Sequence, residues 1–198
     1  SFYSFKGNAI QLKKFKDLEK RCSSDEISLK KSLCNSGGMI NYPASQKDIV
    51  RPGISMFGSR SNLKDKNIKL ESVMTLKSKF ISLKEIEKGE KVGYEGTWQA
   101  KKPTKIGILP VGYGDGYPIN LSNCGKVLIK GKLAPVIGKV SMDMVAIDLS
   151  NISKISYKDE VILWGKGHEV DTVAKYANNS SYTLMTGITN RVKKVYKL

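Results

Sequence analysis

The side chains most often used in catalysis form no recognisable arrangement in this sequence. The single histidine, His168, lies in a glycine-rich turn, where we expect it to be solvated. No G-x-S-x-G, P-loop or G-x-G-x-x-G motif occurs, and the carboxylates form no obvious acid–base pair. The three cysteines, Cys22, Cys34 and Cys124, have no C-x-x-C spacing, which disfavours a disulfide framework or a zinc site and fits a reducing cytosol.

Length and composition set the next limits. The 198 residues fit one large domain or two small ones, and no apolar run approaches the ~18–20 residues that span a bilayer. We see no signal peptide. The net charge of +16 raises the question of nucleic-acid binding. All but four of the basic residues are lysines, however, and arginine is the better bidentate partner for phosphate and guanine. A generic basic surface is therefore favoured over a specific nucleic-acid site.

The elements that would position functional side chains divide the sequence near residue 66. Before it, we predict a helix capped by Asn8 and ending at Arg21, a strand at 29–34, and an apolar segment at 49–57 broken by a Pro-Gly pair. Helix alternating with strand is typical of parallel β/α units. Two such units are too few to close a sheet.

Short strands at regular spacing follow, which favours an antiparallel, barrel-like β domain. Residues 58–67 read as a linker before it. We expect one helix in this part, with Asp171 as its cap. The predicted strands are 72–83, 91–97, 105–111, 126–129, 134–137, 144–149 and 160–163.

Several short segments, taken together, resemble the alanine racemases that use pyridoxal 5'-phosphate (PLP). Each is weak alone, but their order and spacing match from Gln11 to Tyr196. The family joins a PLP-binding (β/α)₈ barrel, a TIM barrel, to a C-terminal β domain and works as a head-to-tail dimer. The resemblance implies that residues 1–66 are the last two β/α units of such a barrel and that 67–198 are the β domain. The matching segments are Asn35-Ser36, Val50 to Ile54, Gly93-Tyr94, Gly112 to Tyr117, Val140 to Asp143, Trp164-Gly165, Asp171 to Ala177, Tyr182 and Arg191-Val192.

The resemblance also assigns a cofactor site. The hydroxyl of Ser36, the backbone N–H groups of Gly53 and Ile54, and the hydroxyl of Tyr182 would hold the PLP phosphate, as loops after the last barrel strands commonly do. Arg51 would face the pyridine nitrogen and leave it unprotonated, which restricts the chemistry to proton exchange. The alternative is a plain strand-end turn at Gly53 and a surface arginine at 51.

Racemisation needs a base on each face of the substrate α-carbon. In the family, the lysine that binds PLP serves one face and a tyrosine from the partner subunit serves the other. The resemblance places Tyr94 in the tyrosine's position, Met142 and Asp143 beside the substrate carboxylate, and Tyr113 at the entrance. By composition alone, Tyr94 would be a half-buried strand tyrosine and Gly112 to Tyr117 a plain turn.

The sequence also departs from the family. The PLP lysine of the family lies far upstream, and we interpret the superficially similar Lys6 as coincidental. Ser32 replaces a histidine that supports the arginine at 51, so we expect that support to be lost. Ile119 stands where the family commonly has an arginine at the entrance, and Lys139 stands where a second arginine is usual. Asn179-Ser180 replaces a Gly-Thr pair.

We therefore expect the C-terminal portion of an alanine racemase that interconverts L- and D-alanine for peptidoglycan in the cytoplasm. It would be inactive or nearly so alone, and would form a homodimer or pair with a full-length subunit. A gene break, a split enzyme and a truncated sequence remain open as its origin. The alternatives are a basic β domain that binds nucleic acid, a non-catalytic remnant that docks on an intact racemase, and a racemase for serine or another small amino acid.

Overall fold

The computed structural model describes residues 5–22, 29–61, 63–65 and 67–196. The chain forms two compact units. The first is Ser1–Ser55 with Asn62–Ile68, and the second is Met56–Ser61 with Lys69–Leu198. No helix among the described residues is both long and apolar enough to cross a membrane.

Helices and strands alternate in the first unit, and short strands dominate the second. The α-helices are α1 (Phe5–Cys22), α2 (Ser36–Asn41), α3 (Val170–Tyr176) and α4 (Ser181–Thr186). The strands are β1 (Ser32–Asn35), β2 (Ile49–Arg51), β3 (Leu76–Lys79), β4 (Ser82–Ile86), β5 (Lys91–Val92), β6 (Trp98–Gln99), β7 (Thr104–Leu109), β8 (Lys126–Ile129), β9 (Lys132–Ile137), β10 (Val145–Asp148) and β11 (Glu160–Trp164).

The first unit contains two parallel strands, β1 and β2, as the sequence predicts. Helix α1 begins at Phe5, so the prediction that Asn8 caps it is wrong, because the residues before Asn8 are already helical. The glycine just before Asn8 favoured a later start, since glycine weakens a helix interior by about 1 kcal/mol. The short helix α2 was not predicted. Its cap is Asn35, whose side chain accepts a hydrogen bond of 2.9 Å from the N–H of Gly38.

Seven strands of the second unit form one antiparallel sheet in the order β3-β11-β8-β9-β10-β7-β4. The two edge strands, β3 and β4, are consecutive in the chain and separated by only Phe80 and Ile81. The sheet must therefore curl until its edges approach each other. This confirms the predicted combination of an α/β part followed by an antiparallel, barrel-like β domain.

Two clusters of buried apolar side chains form the core of the second unit. Tyr117 and Trp164 lie fully buried in it with their rings stacked, 6.1 Å apart between centroids and 7° from parallel. Aromatic rings bury a large apolar surface for each residue. Other fully buried side chains are Leu109, Leu121, Val127, Ile129, Ile147, Val161, Leu163 and Leu184.

Four further predictions are wrong in detail. The single strand at 72–83 is two strands, β3 and β4, because the chain turns between them. The segment at 58–67 is not a separate linker, since its residues belong to one unit or the other and Ser59 and Leu63 are buried. Asp171 does not cap α3, because it lies inside the first turn of that helix and the N-cap position is Glu169. The carboxylate of Asp171 instead binds residues farther away in the chain, such as Ser59. Helix α4 follows it without having been predicted.

Candidate functional site

The first group of predicted site residues lies where the two parallel strands end. Asn35 is paired with Arg51 in the register of β1 and β2, so the residues that follow each strand emerge at the same edge. The Ser36 hydroxyl there accepts hydrogen bonds from the N–H of Gly53 at 2.8 Å and from the N–H of Ser55 at 3.4 Å. A buried hydroxyl and two backbone N–H groups thus converge within the first unit.

This edge has the donor chemistry that an anion requires. Hydroxyl and backbone N–H groups are the usual ligands of a phosphate oxygen. Ser36 is only 2% exposed and Ile54 only 1%, so both are fixed by their surroundings. The arrangement brings Ser36, Gly53 and Ile54 together as the sequence predicts. Their role as phosphate ligands stays a prediction.

Arg51 is held by β1. Its Nη1 donates to the hydroxyl of Ser32, and its Nη2 donates to the carbonyl oxygen of Leu33 at 3.2 Å. The expectation that Ser32 leaves Arg51 without this support is therefore wrong, because the serine hydroxyl also accepts a guanidinium N–H. Arg51 also lines a cavity of about 550 Å³ in the first unit, together with Cys34 and Asn35.

Tyr94 lies in a turn of the second unit between β5 and β6, and it is 71% exposed. The interpretation of Tyr94 as a half-buried strand residue is therefore wrong. Gly93 precedes it with φ of 75°, and a Cβ there would lie 3.0 Å from the backbone nitrogen of Lys139. Glu95 follows with φ of 61° and forms an ion pair with Lys139. The turn is thus held against residues 138–139 while the Tyr94 ring faces solvent.

The glycine-rich motif at 112–117 is docked on a neighbouring segment. The N–H of Tyr113 donates to the carbonyl of Ser141 at 3.0 Å, and the N–H of Gly114 donates to the carbonyl of Met142 at 2.8 Å. A Cβ on Gly112 would lie 2.1 Å from the carbonyl oxygen of Ser141, so only glycine allows this approach. The motif is therefore more than a plain turn. It places the half-exposed side chains of Tyr113 and Met142 on adjacent segments, with the exposed Asp143 next along the chain.

Residues 138–142 connect the two tyrosine-bearing turns. Their first half contacts the turn of Tyr94 through Gly93, and their second half binds the turn of Tyr113 through backbone hydrogen bonds. Asn123 strengthens the first contact, since its side chain accepts the N–H of Gly138 at 2.7 Å and donates to the hydroxyl of Thr97 at 3.0 Å. The structure therefore brings the Tyr94, Tyr113 and Met142 segments to one side of the second unit.

Tyr182 lies in the first turn of α4 and is 46% exposed. Ser180 caps this helix by accepting the N–H of Thr183 at 3.2 Å. The preceding Ser181 donates its hydroxyl to Asp171, which also accepts the hydroxyl of Ser59. Asp171 is thus a residue that the sequence analysis misread as a cap. No local spacing could have revealed its role, because one donor lies 112 positions away.

His168 is buried, which contradicts the expectation of a solvated turn histidine. Its Nε2 lies 2.9 Å from the carbonyl oxygen of Lys126 and therefore donates to it. Burial lowers the pKa of His168, so the ring is neutral near pH 7. Its role is structural. Among the residues that the structure describes, no cluster of His, Cys, Asp and Glu side chains suits a metal ion.

Two family models match the chain in sequence order. The model described as "Alanine racemase, N-terminal domain" matches residues 5–61, and "Alanine racemase, C-terminal domain" matches residues 73–196. The chain belongs to the alanine racemase family. Segments that match both domain models thus occur in this chain in the order that the two models have by name.

Individual relatives agree with this. The chain is 44% identical to the alanine racemase of Hahella chejuensis over 168 residues, which cover 83% of this chain and 45% of that protein. Against the alanine racemase of Vibrio parahaemolyticus the identity is 40% over 189 residues, or 94% of this chain and 51% of that protein. The chain spans about half the length of the curated relatives it matches.

Solved structures show the same partial coverage. The crystal structure of the biosynthetic alanine racemase from Pseudomonas aeruginosa superposes with a TM-score of 0.85 at 38% identity, covering 95% of this chain and 52% of that one. The racemase of Bartonella henselae, which contains covalently bound pyridoxal phosphate, has a TM-score of 0.89 at 28% identity and covers 98% of this chain and 53% of that one.

Proposed function

We propose that this chain is the C-terminal portion of an alanine racemase that interconverts L- and D-alanine with PLP as cofactor. D-alanine made in this way would serve peptidoglycan synthesis in the cytoplasm. The observation that carries the proposal is the convergence of the Ser36 hydroxyl with the Gly53 N–H at the end of two parallel strands. The N-terminal racemase model covers this region, and the C-terminal model covers the rest.

The residues at that edge fit the phosphate of PLP. Ser36 and Ile54 would bind its oxygens through a hydroxyl and a backbone N–H, and Tyr182 would add its own hydroxyl. The N–H of Gly53 would join them by exchanging its hydrogen bond to the Ser36 oxygen for one to the phosphate. PLP, when bound, supplies the electron-withdrawing ring that makes the α-hydrogen of alanine acidic. Arg51 would face the ring nitrogen, and its hydrogen bonds to β1 hold the guanidinium in one orientation. A guanidinium accepts no proton, so it would keep that nitrogen neutral.

Tyr94 would move the proton on one face of the alanine α-carbon. The pKa of an ordinary tyrosine is about 10, so the phenol needs a cation near it to act as a base at neutral pH. The ring is exposed on the second unit and fixed at its backbone, which suits a residue that completes a site on another subunit. We therefore propose that the chain acts in a homodimer or with a full-length racemase subunit.

Tyr113, Met142 and Asp143 would bind on the substrate side. The backbone of Met142 and Asp143 would lie near the alanine carboxylate, and the ring of Tyr113 would line the entrance. Their support is the docking of the two segments through the carbonyls of Ser141 and Met142. Alanine is the proposed substrate because the named relatives are alanine racemases.

We propose that the chain is inactive alone. The reaction needs a lysine that binds PLP, and no motif around Lys6 resembles the family's motif beyond a few letters. Lys6 lies in the first turn of α1, and its side chain is outside the described part of the structure. Covalent PLP on Lys6, found by borohydride reduction and mass spectrometry of the chain alone, would contradict this.

A complementation experiment tests the function. The chain is mixed with a complete racemase, such as that of Vibrio cholerae, in which the tyrosine that aligns with Tyr94 is replaced by phenylalanine. That subunit keeps its own PLP lysine but lacks the second base. We expect the wild-type chain to restore D-alanine formation by supplying Tyr94 across the interface.

The matched control is the chain with Tyr94→Phe, which presents the same surface without the hydroxyl. Restoration by both chains would show that Tyr94 is not the base. A chain that copurifies with the disabled subunit yet restores no activity would overturn the catalytic proposal and favour a non-catalytic remnant that docks on an intact racemase.

A further inference from the structure

Arg191 belongs to a segment that matches the family, yet the proposed function gives it no role. Its Nε lies 3.0 Å from one carboxylate oxygen of Asp115. The Asp115 side chain is only 11% exposed, and its other oxygen accepts the N–H of Gly112 at 2.9 Å. A carboxylate removed from water in this way needs an opposite charge, and Arg191 supplies it.

Thr189, two residues before Arg191, also binds the turn at 112–116. Its hydroxyl donates to the carbonyl of Gly114 at 3.0 Å, and its N–H donates to the carbonyl of Asp115 at 3.2 Å. The C-terminal segment therefore binds both the side chain and the backbone of the turn at 112–116. These contacts are close in space although more than 70 positions separate their partners.

The turn at 112–116 also contacts the segment of Ser141 and Met142. Gly114 is bound at both ends of its backbone. Its carbonyl accepts the hydroxyl of Thr189, and its N–H donates to the carbonyl of Met142 at 2.8 Å. A Cβ on Gly114 would lie 2.9 Å from that carbonyl oxygen and 3.1 Å from Nη1 of Arg191, so the three parts pack without space for a side chain. Moving the C-terminal segment away would remove the contacts of Thr189 and Arg191 with the turn and leave its N–H groups bound to the carbonyls of Ser141 and Met142.

We propose that Arg191 is a positioning residue that sets the placement of Tyr113 relative to Met142 by neutralising and anchoring Asp115. The consequence for a small amino-acid substrate rests on the proposed function, in which these two segments lie beside it. The chemistry explains the choice of arginine. A guanidinium stays charged at every physiological pH and offers several N–H donors in a fixed plane, whereas lysine offers a single mobile charge.

The test compares Arg191→Met and Arg191→Lys with the wild-type 198-residue chain. Amide hydrogen exchange at Tyr113 and Gly114 reports the turn, and the methyl NMR signal of Met142 reports the neighbouring segment. We expect Arg191→Met to raise exchange at both amides by about tenfold or more, because the partly buried carboxylate of Asp115 loses its ion-pair partner. The Met142 signal should shift, and Arg191→Lys should restore part of the protection.

The matched control is Lys130→Met, which removes a comparable ion pair with Asp159 elsewhere on the second unit. It should leave the exchange at Tyr113 and Gly114 and the Met142 signal as they are in the wild type. Unchanged amides and an unchanged Met142 signal in Arg191→Met would overturn the proposal. If that variant does not fold, Arg191→Lys decides by the same two readouts. None of these readouts uses PLP or turnover, so a failure of the racemase proposal leaves this result standing.

Discussion

The carboxylate of Asp171 accepts a hydrogen bond from the hydroxyl of Ser59, 2.5 Å away and 112 positions earlier in the chain. The same carboxylate accepts the N–H of Arg60 at 2.6 Å and the hydroxyl of Ser181. One side chain thereby ties an early segment of the second unit to helices α3 and α4. Since Ser181 precedes Tyr182, this carboxylate also fixes the start of the helix that carries a proposed cofactor ligand.

We predict that Asp171→Ala lowers the free energy of unfolding by about 2–4 kcal/mol, because three donors lose a charged acceptor and Ser59 is buried. Asp171→Asn should lose less, since one acceptor oxygen remains. Urea unfolding followed by circular dichroism measures both. The control is Asp143→Asn, which changes an exposed carboxylate. Equal stabilities of Asp171→Ala and this control would refute the role of Asp171.

The stability of the chain should fall between pH 7.5 and pH 5.5. Burial lowers the pKa of His168 in the folded chain, whereas an unfolded histidine titrates near about 6.5. The unfolded state therefore binds more protons as the pH falls through that value, and unfolding becomes easier. His168 is the only histidine, so His168→Gln should flatten the profile. Urea midpoints at the two pH values, compared for both chains, provide the measurement.

Tyr117→Phe should leave stability unchanged or raise it by about 1 kcal/mol. Within the described residues the buried hydroxyl of Tyr117 has no hydrogen-bond partner, so its removal costs nothing and ends a desolvation penalty. The ring stacked on Trp164 is kept. Tyr117→Ala should instead lose about 3–5 kcal/mol through the cavity it creates. A clear loss of thermal stability in the phenylalanine variant would mean that the hydroxyl has a partner after all.

Gly112→Ala should destabilise the second unit by about 2–3 kcal/mol. Its φ of −154° suits any residue, so the cost comes from the added methyl group, which would lie 2.1 Å from the carbonyl oxygen of Ser141. Gly131→Asn is the control, because its surroundings are open and asparagine tolerates the left-handed conformation. If thermal unfolding places the two variants at the same temperature, the close approach at Gly112 is not what requires glycine.

Local patterns in the sequence were enough to predict the parallel strand pair and the antiparallel β domain, because strand alternation and turn residues act over a few positions. They did not predict the burial of His168 or the hydrogen bonds that Asp171 accepts, since each depends on a partner far away in the chain. Ser32 illustrates the same limit. Its type suggested lost support for Arg51, whereas the folded chain places its hydroxyl within hydrogen-bonding distance. The site residues themselves came from family resemblance and not from any physical pattern.

Met56–Ser61 belongs to the second unit, although residues 62–68, which come later in the chain, belong to the first. A truncation at any single position between residues 56 and 68 therefore separates some residues from the unit to which they belong. A β domain that starts at residue 67 would carry Asp171 without Ser59 and Arg60, two of its three donors. An excised domain that starts at residue 56 keeps all of them, and it is the piece to express when the tyrosine-bearing face is studied in isolation.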